Sequence, residues 1–259
     1  MEISIVINNY KTRGLLKQCL KGIYANPPSA EFEVVVVDNN SQDGSVELVR
    51  ESFPQVRLIA SGKNLGHHKG NNLGIKNSVG KYVLILNTDI AVSAGAVDEL
   101  YDFMESQPEI ALVGPRLKNP DGSIQMSCLR FPHLLTPFYR RTALNQFKFA
   151  QEELRRYLME DFNHNETRPV DWILGACEMV RRGAIDRVGG MDEGLFLYFG
   201  DVAWCRKFWQ AGLPVYYFAG ADIIHYHKRE SAESGIFSKI FWIHISDWIR
   251  YLLKYYRPD

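Results

Sequence analysis

The 259 residues suffice for one large globular domain or two small ones, and 46% hydrophobic content with 12% aromatics supplies a substantial core, which excludes a disordered or collagen-like chain. Thirty Lys and Arg balance thirty Asp and Glu, so no global field draws the chain to nucleic acid, and any phosphate binding has to be local. Cys19, Cys128, Cys177 and Cys205 form no Cys-x-x-Cys pair, the opening run Glu2 to Ile7 is too short for a signal sequence, and no stretch of about eighteen apolar residues occurs, so the chain reads as a reduced, cytoplasmic protein without a spanning helix.

In chain order, Ile3 to Ile7 predicts a strand, Leu15, Leu16, Cys19, Leu20 and Ile23 fall at helical spacing, and Val34 to Val37 predicts a second strand. The βαβ rhythm of a parallel α/β sheet continues with Val56 to Ala60, a polar helix from about Gly66 to Asn77, and Tyr82 to Leu86, apolar throughout as befits a strand covered on both faces. Ser93 predicts the N-cap of a helix whose Val97, Leu100, Phe103 and Met104 face inward. Ile110 to Val113 predicts one more strand, ended by Gly114-Pro115. Beyond it, Asn119-Pro120-Asp121-Gly122 reads as a turn, and Phe131 to Asn165 is polar, basic and loosely helical, which predicts mobile loops. Strand and helix signals return at Ala176 to Val180, Val202 to Gln210 and Val215 to Phe218.

Polar motifs follow the predicted strands: Asn8-Asn9-Tyr10, Asp38-Asn39-Asn40, and Asn87-Thr88-Asp89. In an open α/β sheet such ends line the ligand crevice. Neither a dinucleotide Gly-x-Gly-x-x-Gly nor a phosphate loop of the Walker type is present, which disfavours hydride transfer. Asp38 reads either as a turn residue or as an acceptor for the imide N–H of a pyrimidine, and Asp89 either as a cap or as an oxygen ligand for a divalent cation on a diphosphate. Spacing alone leaves both pairs open.

Taken together, Ile-Val-Ile-Asn-Asn-Tyr, Val-Val-Asp-Asn-Asn-Ser-Gln-Asp-Gly-Ser, Asn64-Leu65-Gly66, Leu-Asn-Thr-Asp, Asp171 through Ala176, and Gly190-Met191-Asp192-Glu193 through Asp201 resemble the family 2 glycosyltransferases, and within them the bacterial rhamnosyltransferase type. The resemblance implies a GT-A fold, a mixed sheet with helices on both faces, a nucleotide-diphosphate sugar donor, a divalent metal (Mg²⁺ or Mn²⁺) and inversion at the anomeric carbon. It implies that Asn8, Tyr10, Asp38, Asn64 and Asn87 line the nucleotide pocket, with Asp89 as the anionic metal ligand where relatives carry Asp-x-Asp. His225, in preference to His227, stands at the place of a late metal-binding His. Asp201 takes the place of the general base, with Gly200 where relatives carry Glu; without that role it would be the N-cap of its helix. Asp171, Trp172 and Gly175 fall beside the acceptor, where Trp172 either stacks on a sugar ring or packs in the core. His67 and His68 stand where relatives carry apolar residues, and the sequence assigns them no role.

From about Gly235 to Tyr256 the chain is densely apolar, with Lys239, Ser246, Asp247, Arg250, Lys254 and Arg257 on one narrow polar stripe. This amphipathic helix suits packing on the domain, a homodimer contact, or the inner face of the cell membrane. The expected organisation is a GT-A domain over 1–234, nucleotide-binding to about 115 and acceptor-binding to about 234, followed by the helix over 235–259. The expected activity is transfer of L-rhamnose from its thymidine diphosphate to a hydroxyl of a bacterial surface glycan or its lipid-linked precursor. A UDP- or GDP-sugar transferase and a catalytically silent nucleotide-sugar or glycan-binding protein are the alternatives, and no nucleic-acid partner is expected.

Overall fold

The computed structural model describes residues 1–226 and 238–256. Strands β1 (Ile3–Asn9), β2 (Phe32–Asp38), β3 (Arg57–Ala60) and β4 (Tyr82–Leu86) run parallel in the order β3-β2-β1-β4, with helices α1 (Arg13–Ala25), α2 (Ser45–Ser52) and α3 (His67–Lys76) between them. The predicted βαβ rhythm is therefore present, and β1, β2 and β4 are largely buried because helices cover both faces, while the edge strand β3 is partly exposed. Asn9 pairs in register with Asp38, which brings two polar strand ends side by side.

The second half departs from the rhythm. After β5 (Ile90–Ala91) and α4 (Ala96–Ser106), strand β6 (Leu112–Lys118) does not join β4. Strand β10 (Cys177–Arg181), antiparallel to both, lies between them, and β11 (Val215–His225) follows β6 in parallel. Strand β11 also pairs antiparallel with β5, matching His225 to Ile90 and Ile224 to Ala91. Strand β8 (Arg168–Pro169) adds to β11, while β7 (Cys128–Leu129) and β9 (Trp172–Ile173) form a separate ladder.

Three expectations need correction. The N-cap of α4 is Gly95, at φ 76°, while Ser93 only accepts a backbone bond from Ala96; the left-handed residue turns the chain where a serine side chain would have capped it. Strand β6 runs on through Gly114-Pro115, because Pro115 lies beyond the stretch paired with β10 and opposite Phe218, where β11 bulges, so its missing N–H breaks no regular ladder. The segment expected to form mobile loops is helical: α5 (Thr136–Arg141), a 3₁₀ turn (Ala143–Gln146) and α6 (Lys148–Leu158). It is knit by Glu153, which accepts from Thr136 Oγ1 and from Arg156 Nε at 2.8 Å, while Arg156 Nη2 reaches the Phe131 carbonyl at 2.9 Å.

Two contacts position the second half of the chain. Helix α7 (Arg182–Val188) leads to α8 (Gly200–Gln210), and the last described helix, α9 (Lys239–Tyr255), packs Trp248, Tyr251 and Tyr255 into the same core as Trp204 and Phe208 of α8. Asp247 does not join a solvent-facing stripe: it is buried, and it accepts the backbone amides of Phe196 at 3.0 Å, Leu197 at 2.9 Å and Tyr198 at 3.0 Å. Phe199 follows at φ 64°, a strained conformation for a residue with a side chain, and its ring is gripped by His244, Trp248 and Tyr251 of α9. The start of the predicted helix at Gly235 lies outside the described residues.

The second contact joins α8 to α3. A Cβ placed on Gly200 would meet the His68 ring at 2.2–2.3 Å, so the ring occupies the volume that any side chain at position 200 requires. Helix α3 itself lies close on β1, since a Cβ on Gly74 would come 2.3 Å from Val6.

Asp247→Ala strands three backbone donors and is expected to cost about 2–4 kcal/mol, read as a lower urea midpoint, with Asp247→Asn losing less; an unchanged midpoint for the Ala variant would contradict the clamp. Gly200→Ala is expected to cost about 1–3 kcal/mol through overpacking, and the same change made on His68→Ala should cost much less, a coupling that a double-mutant cycle of melting curves measures.

Candidate active site

The C-terminal ends of β1, β2 and β4 form a polar crest. Asn9, fully buried, donates from Nδ2 to Asp38 Oδ1 at 2.9 Å and Ser41 Oγ at 3.0 Å, and its Oδ1 accepts from Thr12 Oγ1 at 2.7 Å. Thr12 in turn meets Thr88 Oγ1 at 3.0 Å, which ties β1 to the loop after β4. Asp38 Oδ2 accepts from the Ser41 amide at 3.1 Å. Asp38 thus has a structural duty, closing the crest with both oxygens, and each oxygen keeps a second lone pair for a further donor.

Around it, Asn8 Nδ2 donates to the His67 carbonyl at 3.0 Å while its Oδ1 is buried without a partner. Asn64 Oδ1 accepts from Gly66 N at 2.8 Å and from Asn39 Nδ2 at 3.1 Å, and Asn39 Oδ1 accepts from Leu65 N at 2.7 Å, so Asn39 and Asn64 shape the approach to α3. Tyr10 is exposed at the rim, with Lys11 Nζ 5.4 Å from its ring. Asn87 is half-buried, its backbone N–H bonded to Ala176 O at 2.9 Å.

Asp89 and His225, separated by 136 positions of sequence numbering (225 − 89), meet because β5 pairs with β11. Asp89 Oδ2 lies 3.4 Å from His225 Nε2. The other ring nitrogen, Nδ1, is 2.9 Å from Gln125 Oε1, and the Gln125 amide is oriented by its Nε2 donating to His225 O at 2.8 Å and Asn119 Oδ1 at 2.7 Å. A neutral ring with its proton on Nδ1, donating to that amide, would present an unprotonated Nε2 beside the Asp89 carboxylate. A carboxylate oxygen and an imidazole nitrogen so placed are groups that could hold a shared cation. Among the described residues no third His, Cys, Asp or Glu joins them, and His227 lies outside those residues.

Asp201 sits in the first turn of α8 rather than at its N-cap, which is Phe199. Its Oδ1 accepts from Val202 N at 2.8 Å and its Oδ2 from Gly175 N at 3.2 Å. Burial raises its carboxyl above its ordinary value, opposed by these amides. Beneath it, Glu178 of β10 is fully buried with neither oxygen hydrogen-bonded; desolvation first, and the charge of Asp201 second, push its carboxyl well above the ordinary value. A protonated Glu178 leaves Asp201 as the anion of this pocket.

The two histidines without a sequence role are both neutral. Burial pushes His67 down to about 4 and His68 to about 3. His67 Nε2 meets Asn71 Nδ2 at 3.1 Å, whereas neither nitrogen of His68 makes a hydrogen bond of ordinary geometry. His68 acts as a packing ring beside Gly200.

Trp172 takes the packing role: it is buried, donates to Arg130 O at 2.9 Å and lies 6.2 Å from the Tyr157 ring, so no indole face is open to a sugar. Asp171 accepts from Phe131 N at 2.8 Å and opens onto a cavity of about 680 Å³ lined also by Tyr139, Glu153, Arg156 and Arg206. Sequence reading missed Gln125 and Glu178, and placed Asp247 on a polar stripe without its buried role. Only Asn39, already inside a strand-end motif, carried a local signal.

The profile of Glycosyl transferase family 2 matches residues 4–189. The chain is 32% identical over 235 residues to an N-acetylglucosaminyl-diphospho-decaprenol L-rhamnosyltransferase of Mycobacterium tuberculosis, covering 83% of this chain and 73% of the relative. It is 24% identical over 263 residues to Rhamnosyltransferase WbbL of Escherichia coli K12, covering 97% and 93%. Among solved structures it is similar to S. aureus TarS 1-349 in complex with UDP (TM-score 0.61, 15% identity, 99% of this chain and 67% of that one). It is also similar to GalNAc-T7 with UDP, GalNAc and Mn²⁺ (TM-score 0.68, 15% identity), where it spans 97% of itself but 47% of the longer chain. The fold is that of the GT-A glycosyltransferases, and on the family profile and the 32% identical relative together, the chain belongs to glycosyl transferase family 2.

Proposed function

We propose that this chain is a metal-dependent, inverting glycosyltransferase that moves a sugar, L-rhamnose from its thymidine diphosphate, onto a hydroxyl of a bacterial surface glycan or its lipid-linked precursor. The rhamnosyltransferase relatives support the sugar and the class of acceptor. The observation that carries the mechanism is the opposed pair Asp89 Oδ2 and His225 Nε2, 3.4 Å apart, an oxygen and an imidazole nitrogen that fit a divalent cation such as Mn²⁺ or Mg²⁺. When bound, such a cation neutralises charge on the departing diphosphate.

The residues of the chain do the rest. Tyr10, exposed at the rim, offers its ring to the base, and Asp38 has lone pairs left for an imide N–H; Asn8, Asn64 and Asn87 position the nucleotide along the crest. Asp201 accepts the proton of the acceptor hydroxyl as that oxygen attacks the anomeric carbon on the face opposite the diphosphate. Desolvation raises its proton affinity, which favours base catalysis near neutral pH, and the Gly175 and Val202 amides hold the carboxylate in place through the transfer. Asp171, beside the 680 Å³ cavity, lies on the acceptor side.

Asp201→Asn keeps the volume of the side chain and removes the proton acceptor, so kcat is expected to fall by about 10²–10⁴ with donor affinity nearly unchanged. Wild-type transfer by this variant would place the base elsewhere; a native protein that binds nucleotide sugars from a donor panel and transfers none would make it a binding protein. Asp89→Ala is expected to abolish the Mn²⁺-dependent part of the thermal stabilisation given by thymidine or uridine diphosphate, and an unchanged Mn²⁺ increment would rule out the cation site.

A further inference from the structure

The mechanism leaves the outer surface of α5, the 3₁₀ turn and the start of α6 without a task. Between Leu134 and Phe149, six large apolar side chains, Leu134, Leu135, Phe138, Leu144, Phe147 and Phe149, are 40–54% exposed. The Phe147 and Phe149 rings stack at 5.8 Å and Tyr139 meets Phe149 edge-on at 5.6 Å, so the patch is preformed. Its inner side is anchored by Ala150, Tyr157 and the bonds of Glu153 described above. Lys148 is exposed within it, Arg140 is exposed with its guanidinium 5.4 Å over the Tyr157 ring, Arg141 is half-buried, and residues 131–149 contain no Asp or Glu.

We infer that this surface docks on an anionic lipid bilayer. Apolar side chains clustered in so short a segment are a contact surface rather than scattered exposure. Cations without any anion among them complement acidic headgroups, and aromatic rings suit the depth of the interface. A second copy of the chain fits poorly, because two such faces would bring like charges together. The face of α9 that the sequence offered for this contact is used up by Trp248, Tyr251 and Tyr255 in the core, which leaves Trp242, Ile249 and Leu253 as its exposed apolar residues. Leu134, Leu135, Tyr139 and Phe149 also line the cavity that reaches Asp171, so the docked edge would open toward the acceptor side of the site. The inference goes beyond the proposed transfer, and its test needs no turnover.

The test is co-sedimentation of the full chain with vesicles of phosphatidylcholine, with and without phosphatidylglycerol. The chain is expected to sediment with the anionic vesicles and to be released by high salt. Phe138→Ser with Phe147→Ser should lower partitioning about tenfold or more, and Arg140→Gln with Lys148→Gln roughly thirtyfold, while Leu253→Ser has no effect. Lys148→Gln and Leu253→Ser remove exposed side chains and should keep the wild-type melting temperature, and every variant, including Arg140→Gln, whose guanidinium lies 5.4 Å over the Tyr157 ring, should keep the nucleotide-induced thermal shift, which separates failure of docking from failure of the site. The inference is overturned if the wild type stays in the supernatant with anionic vesicles, if Leu253→Ser rather than the charge pair releases it, or if light scattering shows the apolar pair changing a dimer to a monomer with vesicle binding intact.

Discussion

The geometry of the candidate base depends on one buried carboxylate. Asp247 gathers three consecutive amides, of Phe196, Leu197 and Tyr198, immediately before the chain turns through Phe199 into α8. That turn needs a left-handed residue with a large side chain, which is costly unless its surroundings over-determine it. Ring contacts from His244, Trp248 and Tyr251 supply the constraint, so α9 is structurally part of the half that holds Asp201 although it lies at the far end of the sequence.

Apart from Asn8 Oδ1, the buried polar atoms of the crest are paired, whereas the surroundings of α8 leave several unpaired. At the ends of β1 and β2, Asn9, Asp38, Ser41 and Thr12 satisfy one another, giving a rigid platform. Around α8, by contrast, Glu178 is buried without a hydrogen-bond partner and His68 without a hydrogen bond of ordinary geometry, and both are held in their neutral forms by desolvation. Burial therefore leaves the anionic role to Asp201, held by two amides. The exchange of bulk between Gly200 and His68 belongs to this arrangement: with no side chain at 200, the imidazole ring fills the space.

Joining Asp89 to His225 requires a route the parallel sheet cannot provide. Asp89 follows β4, but His225 ends β11 on the other side of β10 and β6, and only the short antiparallel strand β5 bridges the two. Gln125, from the loop between β6 and β7, then fixes the imidazole through its amide. A strand of two residues has little intrinsic stability, so this part of the site is positioned by the elements around it.

The amino-acid sequence by itself determined the parallel half of the sheet, the strand-end motifs and the family, because alternating apolar runs and the polar residues that end them are local signals that any covered α/β sheet requires. Asn9 and Asp38 come together simply because β1 and β2 are in register. What only the tertiary structure decided is everything that depends on long-range pairing: the insertion of β10 between β4 and β6, the meeting of Asp89 with His225, and the burial of Asp247 in place of exposure on a polar stripe. A helical stripe records which residues share a face, but not what lies against that face. A polar residue there is buried when three amides more than forty residues away need an acceptor, and the long-range packing that creates the need leaves no periodicity in the sequence.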